Sequence, residues 1–266
     1  MLKDRDIPLL KNKHYQKESV FQAKNLLREA RRQKDLSPQK TPEVVVLDPD
    51  GDLLSYCKKN SLAQVFSNWA CYHTQMYQVQ YNGYHFGLIG SAVGASFSVL
   101  LAEQLFASGT RFVLHLTSAG VINPVGTIPY FILINRSLRD EGTSYHYLAP
   151  SPYADIQPEL LQKFLPLTQL KNQRVEVGAT WTTDAPYRET TEAIKYAQEE
   201  GILAVEMEAA ALYAFAQAKE KSILCLAQVT NNMAQSKGDF EKGVEDGAKE
   251  AMELIYEVLQ LWKRAN

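Results

Sequence analysis

The sequence predicts a single α/β domain with a central mixed β-sheet flanked by α-helices. Three observations predict it. Six short runs rich in β-branched and aromatic residues recur along the chain, apolar at consecutive rather than alternate positions, as strands buried on both faces are. Segments with helical spacing stand between these runs. At 266 residues the chain can bury a large core without dividing into two.

The first 42 residues are read as a basic helical extension, with Arg28, Arg31, Arg32 and Lys34 on a solvated helix face. The stretch SPQKTPE (37–43) ends it, because Pro38 and Pro42 both interrupt helix. The domain proper is expected over 43–266. Strands are expected at EVVVLDP (43–49), YHFGLIGS (84–91), RFVLHLTSA (111–119), YFILINRSL (130–138), RVEVGATWTTD (174–184) and SILCLAQVT (222–230). Helices are expected near 95–107, 190–200, 207–219 and 243–263, the last with Ala248, Met252, Ile255, Tyr256 and Leu259 on one face. The aromatic-rich stretch 56–78 suits either a subunit interface or the core of one subunit.

Composition narrows the function. The 45% hydrophobic and 22% charged content is that of a soluble globular protein, and a net charge of −2 argues against a nucleic-acid partner. No apolar run approaches the roughly 20 residues needed to span a bilayer, and MLKDRDIPLLKNKHYQ lacks the apolar core of a signal peptide, so a cytoplasmic location is expected. Cys57, Cys71 and Cys225 are odd in number and lack CxxC spacing, which argues against a disulfide framework. The five histidines show no ligand spacing, so no metal is expected.

Function in such folds gathers at the carboxyl ends of the strands. Here those ends read DPDGD, GSAVG, TSAGVINP, RDEGTSYHY, TTDAPYRET and VTNNMAQ. One further stretch stands out: AVEMEAAALYAFAQA (204–218) sets Glu206 and Glu208 around Met207 in a run that otherwise reads as core. If residues 205–208 are extended, the two acids share a face; if helical, they sit about 200° apart. A buried carboxylate must find donors or shift its pKa. Two adjacent hydroxyls of a sugar would serve, and so would a helix N-terminus.

VEMEAAALYAF resembles the signature of the family I nucleoside phosphorylases, a group that includes purine nucleoside and uridine phosphorylases and methylthioadenosine nucleosidases. GLIGSAVGA (87–95), TSAGVINP (117–124), TTDAPYRE (182–189) and LAQVTNNM (226–233) resemble further motifs in the family's order, and RDEGTSYHYLAP (139–150) is closest to the uridine phosphorylase branch. The resemblance covers about 43–260 and implies a fold of nucleoside phosphorylase type. The implied activity is cleavage of the N-glycosidic bond of a uridine-like or 6-oxopurine nucleoside. Inorganic phosphate would be co-substrate, with no other cofactor. It further implies that Glu208 accepts the ribose hydroxyls, with Met207 on the sugar face and Glu206 near the base and 2′-hydroxyl. Tyr187 and Arg188 would line the base pocket, Asn231 would face the leaving base, and Ser118, Gly90 and His115 would stand on the phosphate side. A homo-oligomer is implied, a dimer or trimer of dimers, with nucleoside and phosphate as the small-molecule partners.

The chain also departs from the family's pattern. In LDPDG, Leu47 and Gly51 occupy the glycine and arginine positions of the first phosphate loop. His115 replaces a second arginine, and Asn231, or Asn232 in a shifted register, replaces the aspartate of purine-cleaving relatives. Arginine is the residue suited to phosphate, so three outcomes stay open: another cation binds it, water replaces it, or catalysis is lost. Arg136, Arg139 and the stretch AQSKGDFEKG (234–243) are the candidates for a replacement.

Overall fold

Five consecutive buried residues, Val44–Asp48, form β1, the strand from which the site is organised. A computed structural model describes residues 7–231 and 244–264. The other strands are β2 (Ala63–Val65), β3 (Tyr77–Tyr81), β4 (Tyr84–Gly90), β5 (Phe112–Val121), β6 (Tyr130–Asp140), β7 (Tyr153–Asp155), β8 (Val175–Thr183), β9 (Ala204–Glu206) and β10 (Ser222–Asn231). The helices are α1 (Ala23–Gln33), α2 (Asp52–Lys59), α3 (Ala95–Ala107), α4 (Pro158–Phe164), α5 (Thr191–Glu199), α6 (Ala209–Lys219) and α7 (Ala248–Arg264). The six expected strands and four expected helices are all present.

The sheet runs β10-β6-β8-β9-β5-β1-β4-β3-β2, with β7 on β6 and a further pairing of β10 with β5. It is mixed: β1 lies parallel to β4 and β5, while β9 lies antiparallel to β5. β10 follows β5 from Phe112 to Gly120 along one edge. The other edge is shared. β1 pairs with Phe112–His115 and β9 only with Gly120 and Val121, so residues 116–119 are left without a strand partner there. Because β10, β6, β8 and β9 return to β5, the sheet closes on itself beyond this fork.

Burial explains the helices. α6 is buried from Ala209 to Ala216, and its Tyr213 hydroxyl donates to the Ile134 carbonyl at 2.6 Å while accepting the Cys225 N–H at 3.1 Å. α7 buries Met252, Ile255, Val258, Leu259 and Trp262, and the Trp262 ring stacks on Phe112 at 4.3 Å. It starts later than the sequence suggests, because Glu245, Asp246 and Gly247 take left-handed φ of 51°, 54° and 71°. In the N-terminal segment Leu27 and Ala30 of α1 pack on Ala70. Arg28 and Arg32 flank Glu29 in solvent, whereas Lys34 donates to the Cys71 carbonyl. Trp69, Cys71 and Met76 join the main core, so the stretch 56–78 supplies core within this chain. Among the described residues no helix is long and apolar enough to cross a membrane, and no group of three or more His, Cys, Asp or Glu could hold a metal ion.

Candidate active site

A pocket of about 470 Å³ opens at the fork beside β5. One wall is Pro49 and Asp50 after β1 with Thr117–Gly120 of β5; Glu206, Met207 and Glu208 lie between; Pro186, Tyr187 and Glu189 after β8 complete it.

Glu206 and Glu208 divide the work that the sequence leaves undecided. Chain direction changes between them, since β9 ends at Glu206 and α6 begins at Ala209. Glu206 Oε2 accepts the N–H groups of Glu208 and Ala209 at 2.6 and 2.7 Å, capping α6. Its Oε1 accepts from the hydroxyls of Ser137, Thr180 and Thr182 at 3.1, 3.1 and 2.5 Å. Burial raises its pKa, opposed by hydrogen bonds from Thr182, Ala209, Glu208 and Thr180. Glu206 therefore ties two strands to a helix, and both of its oxygens are engaged by protein donors.

Glu208, 1% exposed, is differently placed. Oε1 accepts the Gly94 N–H at 2.6 Å, a contact that requires glycine because Gly94 lies at φ 96°, ψ 148°. Oε2 has no hydrogen-bond partner among the described residues and lies 3.6 Å from His115 Nε2. Burial, then the charge of Glu206, pushes the Glu208 carboxyl up to about 8, and burial pushes His115 down to about 3. Near neutrality the contact joins two uncharged groups, and a sugar hydroxyl reaching Oε2 would satisfy an orphaned acceptor.

The opposite wall is acidic. Asp50 Oδ2 accepts the Ser118 N–H at 3.0 Å, so a carboxylate stands beside the residue that the resemblance places on the phosphate side. Asp48 holds the turn, accepting from Gly51 at 3.2 Å and Leu54 at 2.9 Å, and burial raises its pKa to about 7. Gly51 sits at φ 82°, and a Cβ there would meet Ser91 Oγ at 2.7 Å. An arginine at this position would be strained by the left-handed backbone and would displace the Ser91 hydroxyl. Gly51→Arg is accordingly expected to cost about 2 kcal/mol of stability without adding phosphate binding; an unshifted thermal midpoint would contradict this.

Of the other expected site residues, Ser118, Tyr187 and Met207 line the pocket with the two glutamates. Gly90, His115 and Arg188 are not among its lining residues: Gly90 packs against Leu54, His115 is buried and Arg188 points into solvent. The backbone of Asn231 ends β10, paired with Gly120; its side chain, Asn232 and 234–243 lie outside the described residues. Neither candidate arginine reaches the pocket. Arg139 donates to Ser144, Ser151 and the carbonyls of Leu148 and Ala149, and Arg136 stacks on Tyr153 at 4.3 Å. Among the described lining residues none is basic and four are acidic: Asp50, Glu189, Glu206 and Glu208. Asp50 and Glu189 escaped the sequence reading, although each stands in a motif at a strand's carboxyl end, DPDGD and TTDAPYRE.

Residues 44–260 match the model of the Phosphorylase superfamily. The guanosine phosphorylase of Halorubrum lacusprofundi is 22% identical over 176 residues, 65% of this chain and 73% of that one. Among solved structures, AMP nucleosidase from Bacteroides thetaiotaomicron superposes with a TM-score of 0.70 at 17% identity, covering 91% of this chain and 98% of the other. Uridine phosphorylase from Vibrio fischeri superposes with a TM-score of 0.67 at 19% identity, covering 84% and 90%.

Proposed function

Because the chain belongs to the Phosphorylase superfamily, we propose that it cleaves the N-glycosidic bond of a nucleoside, and that water rather than phosphate is the attacking group. The observation that carries this choice is the Asp50 carboxylate on the Ser118 N–H. A phosphate entering beside Ser118 would meet the negative charge of that carboxylate. Two unit charges about 4 Å apart repel by roughly 4 kcal/mol near a protein surface. Water has no such penalty, and a carboxylate can take its proton.

The reaction then runs across the pocket. Glu208 accepts the sugar hydroxyls and Met207 packs on the sugar, so that C1′ faces Asp50. Water held by Asp50 attacks C1′ as the bond to the base breaks, Asp50 receives the water proton, and free base and pentose result. Tyr187, 99% exposed at the rim, would cover the base. The base is read as uracil-like or a 6-oxopurine, on the ground that the sequence has Asn231 where purine-cleaving relatives carry aspartate. The relatives' names, guanosine phosphorylase among them, favour phosphorolysis instead. That reading needs a cation which the described lining lacks.

Asp50→Asn is expected to lower kcat by about 10²–10⁴-fold, the range for loss of a general base, with KM little changed. Steady-state kinetics on a nucleoside that the protein cleaves would check it, and an unchanged kcat would remove Asp50 from the mechanism.

A further inference from the structure

A base leaving a sugar takes the bonding electron pair with it, and the pocket must neutralise that charge. We propose that Glu189 donates the proton to the departing base, an inference that rests on the N-glycosidic reading above. Of the four carboxyl side chains lining the pocket, three are engaged by protein donors. Asp50 accepts from Ser118, Glu206 from five groups and Glu208 from Gly94. Glu189 is the exception: no hydrogen bond or ion pair of its side chain occurs among the described residues, and burial is the one influence on its proton affinity.

Its position suits the task. Asp50 follows β1 and Glu189 follows β8, and in the sheet these strands are separated by β9 and β5. The two carboxyls therefore reach the pocket from either side of the segment that carries Glu208. With the sugar on Glu208 and water at Asp50, Glu189 is the carboxyl that lines the pocket on the side away from Asp50. The residue is also held in place. Its N–H meets the Pro186 carbonyl at 3.5 Å, closing the turn Pro186–Arg188, and the next residue, Thr190, caps α5 by accepting the Ala193 N–H at 3.2 Å. Half-burial raises its carboxyl to about 7, so a substantial fraction is protonated at neutral pH.

The step balances. The bond from C1′ to nitrogen breaks with its electrons passing to the base, and the Glu189 proton moves to a ring nitrogen or carbonyl oxygen of that base. Water supplies oxygen to C1′ and its proton to Asp50. Exchange with solvent then returns a proton to Glu189 and removes one from Asp50, leaving net hydrolysis.

The test compares leaving groups. Uridine, inosine, guanosine and adenosine are assayed beside 4-nitrophenyl β-D-ribofuranoside, whose phenolate departs without protonation. Glu189→Gln is expected to lower kcat on the cleaved nucleoside by about 10²–10⁴-fold while changing the aryl riboside rate by less than about threefold. Glu189→Asp, which keeps a carboxylic acid on a shorter arm, is expected to recover part of the nucleoside rate. Equal losses on both substrates, or no loss on the nucleoside, would overturn the assignment. Wild-type protein inert on every nucleoside and on the aryl riboside would overturn the underlying N-glycosidic reading, and the role of Glu189 with it.

Discussion

Glu208→Gln is expected to lower kcat/KM for nucleoside cleavage by about 10²–10³-fold, the loss typical of one preorganised polar group at a reacting centre, in a protein that remains folded. The glutamine keeps an oxygen for the Gly94 N–H, so the glycine-rich turn before α3 survives. What it loses is the unpartnered carboxyl oxygen Oε2, open to a sugar hydroxyl, in whose place glutamine sets an NH2 group that only donates. The same variant carries a signature in stability. Below about pH 4.5, the ordinary value of the group, folded and unfolded chains both hold its proton. As pH rises, the unfolded chain releases that proton while the folded one retains it up to about 8, so the wild type loses stability steadily across that window and no further above it. Thermal midpoints of Glu208→Gln should therefore gain on wild type from pH 5 to 8. A variant with normal turnover, or a difference independent of pH, would contradict the placement of this carboxyl.

Glu206→Ala is expected to destabilise the fold by about 3–5 kcal/mol, as several buried donors each lose an acceptor at about 1–3 kcal/mol apiece. Ser137, Thr180 and Thr182 lose their shared acceptor, and two N–H groups at the start of α6 are left without one. Glu206→Gln should cost about 1–3 kcal/mol, since its carbonyl oxygen still accepts while its amide faces donors. Denaturant unfolding would read both. An alanine variant within 1 kcal/mol of wild type would mean that Glu206 serves the substrate rather than the frame.

These two glutamates show where the sequence is informative. Glu208 is legible because a carboxylate in an apolar run demands an explanation, whereas the role of Glu206 depends, beyond the local N–H groups it caps, on hydroxyl donors 24 to 69 residues away. Nothing local reveals that distance. Likewise the Asp50–Ser118 contact joins residues 68 apart, and only the fork between β1 and β9 brings them together. The strands buried on both faces were legible almost to the residue, as was α3, because apolar density marks them. β9 was not: three residues at the head of AVEMEAAA carry no periodicity separating them from the helix that follows. The hairpin β2–β3 escaped for another reason: β2 is only three residues long with Val65 59% exposed, and β3, although it alternates buried Tyr77 and Val79 with exposed Gln78 and Gln80, sits at the end of an aromatic-rich stretch read as interface or core. The missing arginine at Gly51 reads from sequence as a loss, while the left-handed turn shows that any side chain there would be strained.

The proposed hydrolysis rests on the Asp50 carboxylate beside Ser118 admitting water in place of phosphate. The most direct measurement is base release from uridine, inosine, guanosine and adenosine in phosphate-free buffer and again with phosphate added, with the sugar product identified. Equal rates in both buffers are expected, with free pentose as product. Release only with phosphate, accompanied by pentose 1-phosphate, would contradict hydrolysis.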